Sequence, residues 1–167
     1  MIHPVPSKLL VHIGDITVSF ALLESTIQNL VGPLISVHQP INQIITAELP
    51  FRNLRALTIS LYKERHGEGP AFAALRELMN RAADLEEKRN QIVHSLWVTG
   101  DTADTAKRFK ETAKERHGYR IQFTNVAEQD LAGVASAIKE LAADVQKFWS
   151  HLIQGGNGIN HPGEKIL

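Results

Sequence analysis

Residues 86–97 read Glu86-Glu87-Lys88-Arg89-Asn90-Gln91-Ile92-Val93-His94-Ser95-Leu96-Trp97, and they close a long run of helical periodicity. Phe72, Leu75, Leu78, Met79, Ala82, Leu85, Ile92, Val93 and Leu96 recur at helical spacing. At roughly 100° per residue they cover one continuous apolar arc. Arg89 falls near the middle of that arc. A guanidinium does not deprotonate, and burying it unpaired costs several kcal/mol, so the position demands a carboxylate partner or a wet cleft. Asn90 and His94, four residues apart, project together from the flank of the same arc. A cation inside an apolar face, with an imidazole at its edge, is how a helix lines the wall of a polar groove. Local rules broken in this way mark functional sites more often than accidents.

The chain around this helix reads as helical. Met1–Pro6 holds two prolines and forms an extended lead-in. A first helix runs from about Ser7 to about Val31 on Leu9, Ile13, Ile16, Phe20, Leu23, Ile27 and Leu30, and Gly32-Pro33 ends it. Glu24 lies central in that arc, so the economical expectation is that Glu24 pairs with Arg89; the alternative is a carboxylate at the bundle rim. A short apolar segment, Ile41–Leu49, precedes Pro50, which suits the first position of a helix over Phe51 to about Arg65. His66-Gly67-Glu68-Gly69-Pro70 breaks the pattern, and the helix carrying Arg89 follows, from about Ala71 to about Val93.

Beyond His94 the pattern changes. Leu96–Thr99 and Tyr119–Thr124 are β-prone, which predicts a β-hairpin or an ordered excursion, with Thr105–Glu115 as a possible helical turn or two. Lys107, Arg108, Lys110, Lys114, Arg116, His117 and Arg120 gather here against Glu111 and Glu115. Such a patch either contacts phosphate or is a solvated charged surface. Lys107, Arg108, Lys110, Arg116 and Arg120 are its candidate RNA-binding residues. Asn125-Val126-Ala127-Glu128 has the form of a capping box opening the last helix. Leu131, Val134, Ile138, Leu141, Val145, Phe148 and Leu152 then form a seam that packs on a neighbouring helix or across a dimer axis. Gly155-Gly156-Asn157-Gly158 stops it. The organisation expected is one domain over 1–154 and a flexible tail over 155–167.

Composition narrows the chemistry. A chain of 167 residues that is 43% hydrophobic can bury a real core. A formal charge of +0 excludes a global polycation, so nucleic-acid contact must be local. Without cysteine there are no disulfides, thiol catalysis or cysteine-bound zinc. The eight histidines show no HExxH arrangement, so no metal or other cofactor is expected. No uninterrupted apolar run reaches membrane-spanning length and no signal peptide is visible, which predicts a cytoplasmic protein without membrane contact.

Arg89-Asn90-Gln91-Ile92-Val93-His94 resembles the signature of the HEPN superfamily, an all-helical group whose ribonucleases carry an arginine, four to six intervening residues and a histidine. Asn90 matches the polar residue that commonly follows the arginine. The resemblance implies an all-α, HEPN-like bundle of four to five helices that acts as a homodimer. Two such motifs meet across its cleft and cut RNA without metal, as in toxin–antitoxin or abortive-infection systems, with an antitoxin protein as a possible partner. Arg89, His94 and Asn90 would be catalytic, with Glu24 and Glu86 in support. In one branch of the family a tyrosine stands two residues beyond the histidine, where this chain has Leu96, so regulation through that tyrosine is not supported. Some members have lost activity and serve as helical interaction modules. A noncatalytic dimeric RNA-binding or partner-binding module is therefore the alternative, with His94 a helix-end histidine.

Overall fold

Helix α1 runs through Gly32-Pro33 instead of stopping there: it spans Ser7–Ile35, with Pro33 inside its last turn. A proline so near the end forfeits a single backbone bond. The carbonyls on either side of it are taken up, because Ser36 N–H donates to Gly32 O at 3.1 Å and Arg65 donates to Leu34 O and Ile35 O. Gly32 also lets Asn42 approach, since a Cβ there would meet Asn42 Nδ2 at 3.3 Å.

The computed structural model describes residues 5–36, 38–102, 104–114 and 118–154. The expected tail over 155–167 lies outside the described residues. Helices α2 (Gln39–Thr46), α3 (Phe51–His66) and α4 (Pro70–Val93) follow α1; strands β1 (Leu96–Thr99), β2 (Ala106–Lys114) and β3 (Gly118–Val126) precede the last helix, α5 (Glu128–Gln154). The chain is thus mainly helical with a small sheet. Pro50 takes the N-cap position, one residue before α3 begins. Gly67, at φ 74, supplies the left-handed turn after α3 that a side chain would resist.

Two compact units are formed. One gathers Met1–Ala21 and Asp84–Lys139, the other Leu22–Ala83 and Glu140–Leu167. In the first, Leu9, Ile16, Phe20, Leu85, Ile92, Ala106, Val126, Leu131 and Ile138 are buried. Lys139 pairs with Asp15 at 2.7 Å, and Lys8 pairs with Asp104 at 2.7 Å. In the second, Leu23, Ile27, Leu30, Leu34, Leu54, Leu75, Met79, Leu141 and Val145 are buried, and Tyr62 packs between Phe72 and Phe148 at centroid distances of 6.3 and 5.8 Å. Leu131, Ile138, Leu141 and Val145, the middle of the seam read on α5, are therefore consumed inside this chain.

The sheet is an antiparallel meander in the order β1-β2-β3. Ala106–Lys114, inside the stretch read as a possible helical turn, is a strand. Its Lys, Glu and Ala residues favour helix locally, but β3 pairs with it along its whole length, from Ala106↔Val126 to Lys114↔Gly118. Cross-strand pairing of this kind overrides propensity. The α5 cap also differs from the expected box. Ala127 N–H donates to Asp130 Oδ2 at 2.8 Å, while Asn125 belongs to β3 and donates from Nδ2 to Asp101 Oδ2 at 2.7 Å.

By length and composition α1 is apolar enough to cross a membrane, although polar residues interrupt its apolar run. Its inward side is buried through Leu9, Ile16, Leu23 and Ile27, and Val11, Val18 and Leu22 lie exposed on its outer side.

Candidate functional site

Helix α4 ends where one last backbone donor and two side chains take up its final carbonyls. His94 N–H donates to Asn90 O at 3.0 Å, Ser95 Oγ to Gln91 O at 2.6 Å, and Trp97 Nε1 to Ile92 O at 3.0 Å. Three of the final carbonyls are thereby satisfied, and the chain turns directly into β1. Arg89, Asn90 and His94 sit on this last turn, with Arg89 and Asn90 half-buried and His94 exposed.

The three side chains converge. Arg89 Nη1 donates to Asn90 Oδ1 at 2.8 Å and stands 3.5 Å from His94 Nε2. A guanidinium only donates, so His94 Nε2 faces it as an acceptor, and in the neutral ring the proton then resides on Nδ1. Arg89 Cζ lies 5.5 Å from the centroid of the Phe20 ring, within cation–π range. Arg89 Nε is buried with no hydrogen-bond acceptor. Arg89 is thus held by an amide oxygen, an imidazole nitrogen and an aromatic face, all within its own unit; Glu24, expected to pair with it, belongs to the other compact unit. Glu86 is half-buried one turn earlier on α4.

The basic strand meets this turn through Arg108, whose Nη1 donates to Gln91 Oε1 at 3.1 Å, while Gln91 Nε2 donates to Glu87 Oε1 at 3.1 Å. Lys107 is instead tied to Asp101. The Lys107 ammonium, then the Asn125 amide, hold the Asp101 carboxyl below its ordinary pKa. Lys110 is exposed. Arg116 lies outside the described residues, as does His117, and only the backbone of Arg120 is described.

Sequence reading missed two groups of residues. The first is Phe20, whose place in an apolar arc gave no hint that its ring would receive Arg89. The second is the outer face of the sheet, where Leu96, Phe109 and Phe123 align across the three strands. Leu96 and Phe123 remain 63% and 59% exposed, so this row is not core. In the other unit, a cleft of about 470 Å³ is lined by the carboxamides of Gln28, Asn29, Gln39, Asn42 and Gln43 with Ser25, Ser36 and Thr46, and by no charged side chain. Among the described residues no three His, Asp or Glu side chains converge.

No family model, curated protein or solved structure matched the chain.

Proposed function

We propose that this chain is a HEPN-like endoribonuclease that works as a homodimer in the cytoplasm and uses Arg89, Asn90 and His94 without a metal ion. The observation that carries the reading is the 3.5 Å approach of Arg89 Nη1 to His94 Nε2 at the C-terminal end of α4. It puts a cation and a proton acceptor within reach of a single phosphate.

His94 Nε2 takes the proton of the RNA 2′-hydroxyl, whose oxygen attacks the adjacent phosphorus. The new O2′–P bond forms as the P–O5′ bond breaks, and the departing 5′-oxygen receives a proton from a general acid. Arg89 neutralises the added charge on the phosphoryl oxygens, and Asn90 fixes the guanidinium. One motif carries one histidine, so a second chain is the natural source of the acid. Val11, Val18 and Leu22, exposed along α1, are an apolar stripe available for such a contact. In a toxin–antitoxin setting an antitoxin protein would cover the same motif.

The test is RNA degradation, or growth arrest on expression, by the wild-type protein and by His94→Ala. Loss of both in the variant supports the reading; equal activity overturns it. The alternative of a noncatalytic RNA-binding module is favoured by the exposed Phe123 and Leu96, which suit binding and are not needed for proton transfer.

A further inference from the structure

Helix α2 turns polar side chains inward. Asn42 and Thr46, one turn apart, are buried, while Ile41, Ile44 and Ile45 are exposed. The buried side meets α1 and its end through hydrogen bonds instead of packed hydrocarbon: Asn42 Nδ2 donates to Ser36 O at 2.8 Å, and Gln28 Nε2 to Thr46 O at 3.4 Å. Amide groups joined in this way do not interlock as apolar side chains do, and the cleft of about 470 Å³ described above opens beside them. That volume lies within the range of about 300–1,000 Å³ usual for small-molecule sites. Its lining falls within the unit of Leu22–Ala83, whereas Arg89 and His94 belong to the other unit. The cleft is therefore independent of the ribonuclease reading.

Its wall has hydrogen-bonding capacity left over. Asn42 is only 9% exposed and its Nδ2 is occupied by Ser36 O, yet its Oδ1 is buried with no hydrogen-bond partner. Leaving such an acceptor unmet costs about 1–3 kcal/mol, and a ligand O–H is a donor of the kind it lacks. Gln28 likewise commits its nitrogen to a backbone carbonyl, which leaves Oε1 to accept. Asn29, Gln39 and Gln43 add amides with both functions.

Charge and ring chemistry narrow the ligand. Among the described residues no charged side chain lines the cleft, so an ion entering it would lose water without gaining a counter-charge, at a cost of several kcal/mol. No aromatic ring among them lines it either, and the flat faces of a nucleobase, ordinarily stacked on such rings, would go uncovered. A compound rich in hydroxyls meets both conditions, because each O–H donates, accepts and rotates to suit its neighbour. Gly32 and Pro33 give its C–H groups an apolar wall.

We propose that the cleft between α1 and α2 binds an uncharged polyhydroxyl compound, a sugar or a cyclic polyol, with Asn42 Oδ1 accepting a hydrogen bond from one of its hydroxyls. Those hydroxyls could belong to a free sugar or to the ribose of a nucleoside, and the experiment separates the two. Full-length isotope-labelled protein is titrated with D-glucose, D-ribose and myo-inositol, and separately with adenosine, while NMR follows the side-chain amide signals of Asn42 and Gln28. At least one of the free polyhydroxyl compounds should shift these signals along a saturating curve at millimolar concentration, and its phosphate ester should bind more weakly. Asn42→Ala should weaken that binding roughly 2- to 13-fold, the loss of one neutral hydrogen bond. Asn42 is buried, so if this variant melts early, Asn29→Ala and Gln43→Ala, at exposed positions of the same wall, supply the comparison. Saturation by adenosine but by none of the other three overturns the proposal, since a base would then be required. So do a phosphate ester that binds as well as its parent, drift of all signals without saturation, or affinity unchanged in every variant.

Discussion

The guanidinium of Arg89 stands 3.5 Å from the imidazole Nε2 of His94, five residues further along the same helix end. The cation can only donate, so it faces the histidine tautomer in which Nε2 is the acceptor and the proton resides on Nδ1. Under the reading proposed above, a phosphate lying against both groups would meet a cation and a proton acceptor together.

Arg89→Ala should therefore impair cleavage as badly as His94→Ala, each by roughly a hundredfold to a thousandfold in kcat. Arg89→Lys should recover little, because an ammonium on a flexible stem does not offer the planar fork that meets Asn90 and a phosphate together. Single-turnover rates on one RNA substrate decide it; a Lys variant within a few-fold of wild type would show that charge alone is used.

Two of the lysine-paired aspartates of the first unit, Asp15 and Asp101, set an acid limit. Lys139, ahead of Ser19, lowers the Asp15 pKa, and Lys107, ahead of Asn125, lowers that of Asp101. A folded pKa below the unfolded one means stability that is present above the ordinary aspartate value and lost as pH falls through the folded value. Urea midpoints should accordingly fall below about pH 4, and Asp101→Asn should fall less steeply there than wild type. Asp101 is solvent-exposed and Asp15 half-buried, so raised salt should also shrink the difference, most at Asp101.

Gly100→Ala should destabilise the turn between β1 and β2. A Cβ at that position would overlap Thr105 Oγ1 and the Thr105 backbone, and backbone atoms held by the Gly100 N–H to Thr105 O bond at 3.2 Å cannot simply swing away. Overpacking of this kind costs about 1–3 kcal/mol. Thermal melting reads it directly; an unshifted midpoint would mean that the turn relaxes freely.

Arg65 is the cap that carries α1 past its proline. Removing it in Arg65→Ala strips Leu34 O and Ile35 O of their charged donor, a loss of about 1.5–3 kcal/mol. Amide exchange at the C-terminal end of α1 should quicken while the Arg89 turn is unaffected. Uniform quickening across the chain would show that the cap supports the whole fold.

Why some of this was legible in the sequence and some was not follows from where the determining contact lies. The long helices were visible because each buries its own repeating face: Leu9, Ile16, Leu23, Ile27 and Leu30 on α1 are all 0–1% exposed, as their spacing required. Helical spacing also put Asn90 and His94 on one flank of α4, but the contacts of Arg89 with Asn90 and His94 span one and five residues and come from the reach of the arginine side chain. Strand β2 was not visible, because Lys107–Lys114 is held by a partner strand and not by its own propensity. The end of α1 was misplaced because its rescue comes from Arg65, 32 residues beyond Pro33 in the chain. Glu24 and Arg89 were matched as two polar intruders on apolar arcs, a matching that did not anticipate an aromatic ring accepting the cation.

The reaction proposed for His94 leaves a signature in its products. With the RNA 2′-hydroxyl as nucleophile, cleavage must leave a 2′,3′-cyclic phosphate on one fragment and a free 5′-hydroxyl on the other, since O2′ has replaced O5′ on phosphorus. A substrate carrying a 2′-deoxy group at the scissile nucleotide offers no attacking oxygen and should resist cleavage, while still binding if bases and phosphates supply the affinity. Chelation with EDTA should leave the rate unchanged, because every proton and charge in the step is handled by His94, Arg89 and the second histidine. End-labelling of the fragments distinguishes the outcomes: only a 5′-hydroxyl accepts phosphate from a polynucleotide kinase without prior dephosphorylation. Fragments bearing 5′-phosphate, or activity abolished by EDTA, would require water as the nucleophile and an ion to activate it, and His94 would then have to be reassigned.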